Sequence, residues 1–87
     1  MDIKRLSWAS RRGMLELDLM LLPFLEKVYP QLTIEDQMRY WKLLECEDQD
    51  LWNWLIDRKN SGNPELQKIV DIIRNTRHLV RPEFELK

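Results

Sequence analysis

Hydrophobic positions along this 87-residue chain recur mostly at helical spacing, and four interruptions divide them into five segments. The interruptions are Gly13, the Tyr29-Pro30 pair, the acidic stretch from Glu45 to Asp50, and Asn60-Ser61-Gly62-Asn63-Pro64. The first segment, about 2–10, can take Asp2 as its N-cap and sets Ile3 and Leu6 on adjacent turns. The second, about 14–29, is ambiguous at its start, because Leu15, Leu17, Leu19 and Leu21 alternate with Glu16, Asp18 and Met20 at a nearly strand-like period. Farther on, Leu17, Leu21, Phe24, Leu25 and Val28 form one helical stripe, and a lone strand would find no partner elsewhere in the chain, so the pattern predicts a helix. Pro23 falls inside it and leaves the Leu19 carbonyl without its donor, which favours a kink there.

Thr33 followed by Asp36 makes an imperfect capping box and predicts a helix over 34–45 with Ile34, Met38, Trp41 and Leu44 facing inward. Asp48 is the expected N-cap of a fourth helix over 49–58, in which Leu51 and Leu55 centre an apolar arc flanked by Trp52 and Trp54. So wide an arc is hard to bury on a short helix. Asn63-Pro64-Glu65 supplies an N-cap, a proline at the first helical position and a carboxylate at the positive end of the dipole. The fifth helix then carries Leu66, Ile69, Val70, Ile73, Arg77 and Val80 on one stripe until Pro82, with 82–87 as a loose tail. The expected fold is all-α, a compact five-helix bundle forming a single domain over 1–87. Its core joins Leu17, Leu21, Phe24, Leu25, Ile34, Met38, Trp41, Leu44, Leu51, Leu55, Leu66, Ile69, Val70 and Ile73.

Composition narrows the chemistry. With 14 basic and 15 acidic residues the net charge is −1, which gives no drive toward nucleic acid or anionic lipid. No apolar run approaches the roughly 18 residues needed to cross a bilayer, and the first residues do not lead into the apolar stretch of a secretory signal, so a cytoplasmic protein and a monomer are expected. A single cysteine, Cys46, and a single histidine, His78, allow neither an internal disulfide nor a multidentate Cys/His metal site. Cys46 reads as a small packing residue and His78 as an exposed residue near a helix end. A His-dependent triad has only His78 to draw on, and two isolated glycines make no phosphate loop. Glu45, Glu47, Asp48 and Asp50 lack the spacing and glycine of a calcium loop and read as caps and solvated charges. The expectation is a protein that acts by binding and is not an enzyme.

One segment stands apart. Arg11-Arg12-Gly13-Met14-Leu15-Glu16-Leu17-Asp18 sets two arginines, one of the two glycines and two carboxylates beside a strongly apolar run. Gly costs about 1 kcal/mol relative to Ala inside a helix, so its presence where a helix should begin suggests a sharp turn or close approach by another chain. A helix starting here would put Arg12 and Glu16 on one face, where the plain alternative is a solvated ion pair. As a recognition surface, Arg12 would offer a planar fork to a partner, Glu16 would accept from partner amides, and Gly13 would admit the partner to the main chain. Trp8 and Trp52 are the tryptophans expected to be partly exposed, and aromatic anchors dominate interface energies.

Together with Pro23-Phe24, the Leu43-Leu44-Glu45 stretch leading into acidic residues, and Asp50-Leu51-x-x-Trp54-Leu55, the Arg12-Gly13-x-x-Glu16 segment resembles the SdhE (YgfY) family over nearly the whole chain. The resemblance implies a five-helix assembly factor that binds the flavoprotein subunit of succinate dehydrogenase, and in some bacteria of fumarate reductase. Such factors promote covalent attachment of FAD to a histidine of the partner, with no FAD held stably by the factor itself. By residue match Arg12, Gly13 and Glu16 would form the functional core, with Arg11, Met14 and Asp18 in support and Trp8 as a neighbouring anchor. The family resemblance also carries a lesser alternative, an antitoxin-like interaction module.

Overall fold

The computed structural model describes residues 3–76, and these form five helices with no strand among them. Helix α1 spans Ile3–Ser10, α2 Leu15–Lys27, α3 Ile34–Leu44, and α5 Pro64–Asn75; α4 begins as an α-helix over Asp48–Leu51 and continues as a π-helical turn over Trp52–Ile56. The strand-like alternation at Leu15 to Leu21 therefore resolves as helix, and α2 runs on through Pro23 before a 3-10 turn at Tyr29–Gln31. The Asp2 cap, the Arg77, His78 and Val80 positions, Pro82 and the 82–87 tail lie outside the described residues.

Caps explain the boundaries. The Thr33 hydroxyl accepts from the Asp36 amide at 3.2 Å, and the Asn63 side chain accepts from the Glu65 and Leu66 amides at 2.9 and 3.2 Å, with Pro64 at the first helical position. At α4 the expectation fails by one residue. Glu47 occupies the N-cap in extended conformation, and Asp48 sits inside the first turn with its carboxylate turned to Arg12. The end of the π turn is closed by Arg58 in a left-handed conformation (φ 60°), with the Lys59 amide donating to the Asn53 carbonyl at 2.8 Å.

Helix α5 packs chiefly on α3 and α1 on α2, so the core lies between these pairs with the π turn against α2 and α5. Of the expected core, Leu17, Leu21, Phe24, Leu25, Leu44, Leu51, Leu55, Ile69, Val70 and Ile73 are buried. Ile34 and Met38 are not: they are 68% and 53% exposed. Trp41 and Leu66 are half-buried at the core's edge. The inward face of α3 is instead Tyr40, Leu43 and Leu44, turned from the expected stripe by about 90° at 100° per residue. Tyr40 decides the rotation. Its ring stacks at 5.4 Å from both Phe24 and Tyr29, and its buried hydroxyl shares a 2.8 Å hydrogen bond with Ser10 of α1, so the polar tip is satisfied while the ring fills the core. Leu6, Met20, Tyr29, Tyr40 and Leu43 join the core beyond those expected.

Candidate functional site

Residues 11–14 link α1 to α2 by a short turn, and its conformation depends on Gly13, whose φ of +82° lies in the left-handed region. A Cβ added at Gly13 would meet nothing within 4 Å, so the turn needs glycine for its backbone and not for space. Met14 follows in extended conformation, half-buried against the core, and the Asp18 amide closes the first turn of α2 on the Met14 carbonyl at 2.9 Å. Glu16 and Asp18 both fall in that first turn, where the positive end of the helix dipole favours carboxylates.

The two arginines part company here. Arg11 is exposed, whereas the Arg12 side chain is only 14% exposed and its guanidinium is directed into the protein. Its Nε donates to Asp48 Oδ1 at 2.8 Å, Nη1 to the carbonyls of Ala9 and Leu44 at 2.8 and 2.9 Å, and Nη2 to the carbonyl of Cys46 at 2.8 Å. Ala9 and Leu44 lie in the last turns of α1 and α3, so one side chain satisfies carbonyls that helix ends leave without partners. The Arg12 main-chain amide donates to Asp18 Oδ1 at 2.8 Å. The expected Arg12–Glu16 pairing on one helix face does not form, because Arg12 lies in the turn and not in a helix. The fork imagined as open to a partner is likewise occupied within the chain.

What the turn presents outward is Arg11, Gly13, Leu15 and Glu16, all exposed, and next to them Trp8 in the last turn of α1, whose carbonyl accepts from the Arg11 amide at 3.2 Å. Trp8 is 82% exposed and Leu15 68%, a high degree of exposure for large apolar side chains. Leu15 had no functional reading in the sequence, since its place in the alternating run marked it only as apolar. Trp8 also lines an open groove of about 460 Å³ with Lys4, Arg5, Ala9 and Trp41. Between residues 3 and 15 the chain carries Lys4, Arg5, Arg11 and Arg12 and no acid, so this surface is locally basic in a nearly neutral protein. Trp52, by contrast, is half-buried against the core. Cys46 is half-buried, and burial, followed by the charges of Asp50 and Glu45, raises its pKa against the opposing pull of Arg12, which keeps it a thiol rather than a nucleophilic thiolate. Among the described residues no group of His, Cys, Asp and Glu could hold a metal ion, and no helix is long and apolar enough to cross a membrane.

This arrangement can bind but offers no evident reaction chemistry, and comparison with known proteins agrees in kind. Residues 4–77 match the family model described as flavinator of succinate dehydrogenase. A protein of Pseudomonas aeruginosa named FAD assembly factor SdhE is 53% identical over 72 residues, covering 83% of this chain and 86% of the relative. Proteins of the same name from Shewanella oneidensis and Yersinia pseudotuberculosis are 45% identical over 74 residues and 41% over 71, covering 85% and 82% of this chain and 90% and 81% of their own lengths. A match across the helices and the Gly13 turn alike places this chain in the SdhE family of FAD assembly factors, the flavinators of succinate dehydrogenase.

Proposed function

We propose that this protein binds the flavoprotein subunit of succinate dehydrogenase, and where present that of fumarate reductase, as a monomer in the cytoplasm, and promotes covalent attachment of FAD to a histidine of that partner. It acts by binding and not as an enzyme, and the FAD stays with the flavoprotein. The observation that carries the reading is the open left-handed turn at Gly13 with Glu16 exposed beside it, in a chain of this family. Gly13 gives a partner access to the main chain, and Glu16 accepts hydrogen bonds from partner donors. Trp8, Arg11 and Leu15 supply apolar area and charge around them, while Met14, Arg12 and Asp18 hold the turn from beneath.

Cells lacking their own factor, complemented with Gly13→Arg or Glu16→Ala and scored for in-gel flavin fluorescence of the denatured flavoprotein, test this. Gly13→Arg adds its side chain into open space, so its cost is backbone strain of about 1–2 kcal/mol. Gly13→Asn, a residue that tolerates the left-handed region, controls for that strain. Both Gly13→Arg and Glu16→Ala are expected to remain folded and to lose covalent flavin. Full flavinylation with both variants would remove this surface from the function.

A further inference from the structure

We propose that Asp48, working with Asp18 through Arg12, is a positioning residue of the partner-binding turn. The inference rests on the function proposed above and extends the site to a residue 36 positions away in sequence. A guanidinium has five N–H donors, and four of those of Arg12 are engaged inside the chain, by Asp48 and by the carbonyls of Ala9, Leu44 and Cys46. Too little of the group remains to grip a partner carboxylate with two parallel bonds. The contribution of Arg12 to recognition therefore passes through its own backbone, which leads directly into Gly13.

That backbone is held from two sides. Asp18, in the first turn of α2, accepts from the Arg12 amide, while the side chain is tied to the ends of α1 and α3 and to the start of α4. Carbonyl acceptors tolerate some sliding of the guanidinium, but the carboxylate of Asp48 is the charged acceptor, and it fixes Nε. Asp48 is itself half-exposed, with its side chain 45% accessible, so the fold does not depend on its burial. Removing it leaves Arg12 its three carbonyls and a looser direction, and the turn then presents Gly13 and Glu16 over a wider range of positions. Small displacements of this kind weaken recognition without unfolding a protein.

The experiment compares native protein, Asp48→Ala, Asp48→Asn and Glu65→Ala by thermal melting, by the amide NMR signals of Gly13 and Glu16, and by calorimetric titration into purified, FAD-loaded flavoprotein subunit of succinate dehydrogenase. Glu65 is the control because it pairs with Arg39 away from this turn, at 2.8 Å. Asp48→Ala should melt near the native temperature, shift the Gly13 amide although Asp48 does not bond to it, and bind about tenfold more weakly. Asp48→Asn keeps an oxygen acceptor for Nε and should stay within about threefold of native affinity. Glu65→Ala should change neither the Gly13 signal nor the affinity. Native-like binding or an unmoved Gly13 signal in Asp48→Ala overturns the inference, as does loss of its folded state, which would make Asp48 a fold residue. Failure of the native chain to bind the subunit overturns the proposed function instead.

Discussion

Replacing Arg12 with Ala separates a structural tie from a surface contact, because the two give very different stabilities. The substitution removes the bonds to Ala9, Leu44 and Cys46, each worth about 1 kcal/mol net. The Asp48 pair adds less than about 1 kcal/mol, since Asp48 is 45% exposed and water screens it. Together the loss is about 3–4 kcal/mol, against the roughly 5–10 kcal/mol that holds a domain of this size. In melting temperature that is a fall of about 12–25 °C. Arg12→Lys should recover less than half, because an ammonium is a point charge that cannot reach acceptors spread around a planar fork. Urea denaturation followed by circular dichroism gives both numbers. An exposed arginine reserved for a partner would cost no more than about 0.5 kcal/mol on truncation, so a loss below about 1 kcal/mol for Arg12→Ala would refute the reading of an internal tie.

Truncating Leu51 or Ile69, each 0% exposed, to Ala should cost about 2–4 kcal/mol in the same denaturation assay, while Ile34→Ala and Met38→Ala should stay within about 0.5 kcal/mol. Burial raises the pKa of Tyr40 well above the ordinary phenol range, against weaker opposition from the Ser10 hydrogen bond. The folded state thus keeps a proton that the unfolded state releases near pH 10, so the Tyr40 contribution is whole below about pH 10 and declines above it. Tyr40→Phe should flatten that alkaline decline in a pH series of urea melts, while leaving Ser10 unpaired at a cost of about 1–3 kcal/mol at neutral pH. Equilibrium dialysis of the protein with FAD should show weak or no binding, because the groove beside Trp8 is open where a cofactor site encloses most of its ligand. A stoichiometric complex tighter than about 1 μM would contradict this.

Helix positions were readable because their signals are local: Thr33 and Asn63 announce their helices by side-chain geometry that depends on two or three neighbouring residues. The rotation of α3 was not readable in that way. Ile34, Met38 and Trp41 and the set Tyr40, Leu43 and Leu44 are both acceptable helical stripes, and the choice turns on a hydroxyl partner, Ser10, thirty residues earlier. The turn at Gly13 was marked by its glycine, and Trp8 by its excess over what the core needs. What sequence could not disclose was the direction of Arg12, since an arginine beside a glycine reads equally well as a fork held out or folded in. Its acceptors are main-chain carbonyls and an aspartate that already had a sufficient explanation as a cap.

The π turn over Trp52–Ile56 has a consequence for variation in chain length. The Asp57 amide reaches back five residues to the Trp52 carbonyl at 3.0 Å, so this turn holds one residue more than an α-helical turn would. Slower winding swings successive side chains through smaller angles, which lets Trp52, Trp54 and Ile56 all lie half-buried around Leu55. Deleting Asn53 would remove that extra residue and tighten the segment to α-helical winding, carrying everything after it round by nearly a quarter turn relative to Leu51. In a helix a lost residue is usually absorbed by a neighbouring loop. Here it would be taken up as torsion, and the residues to register it first would be the two tryptophans.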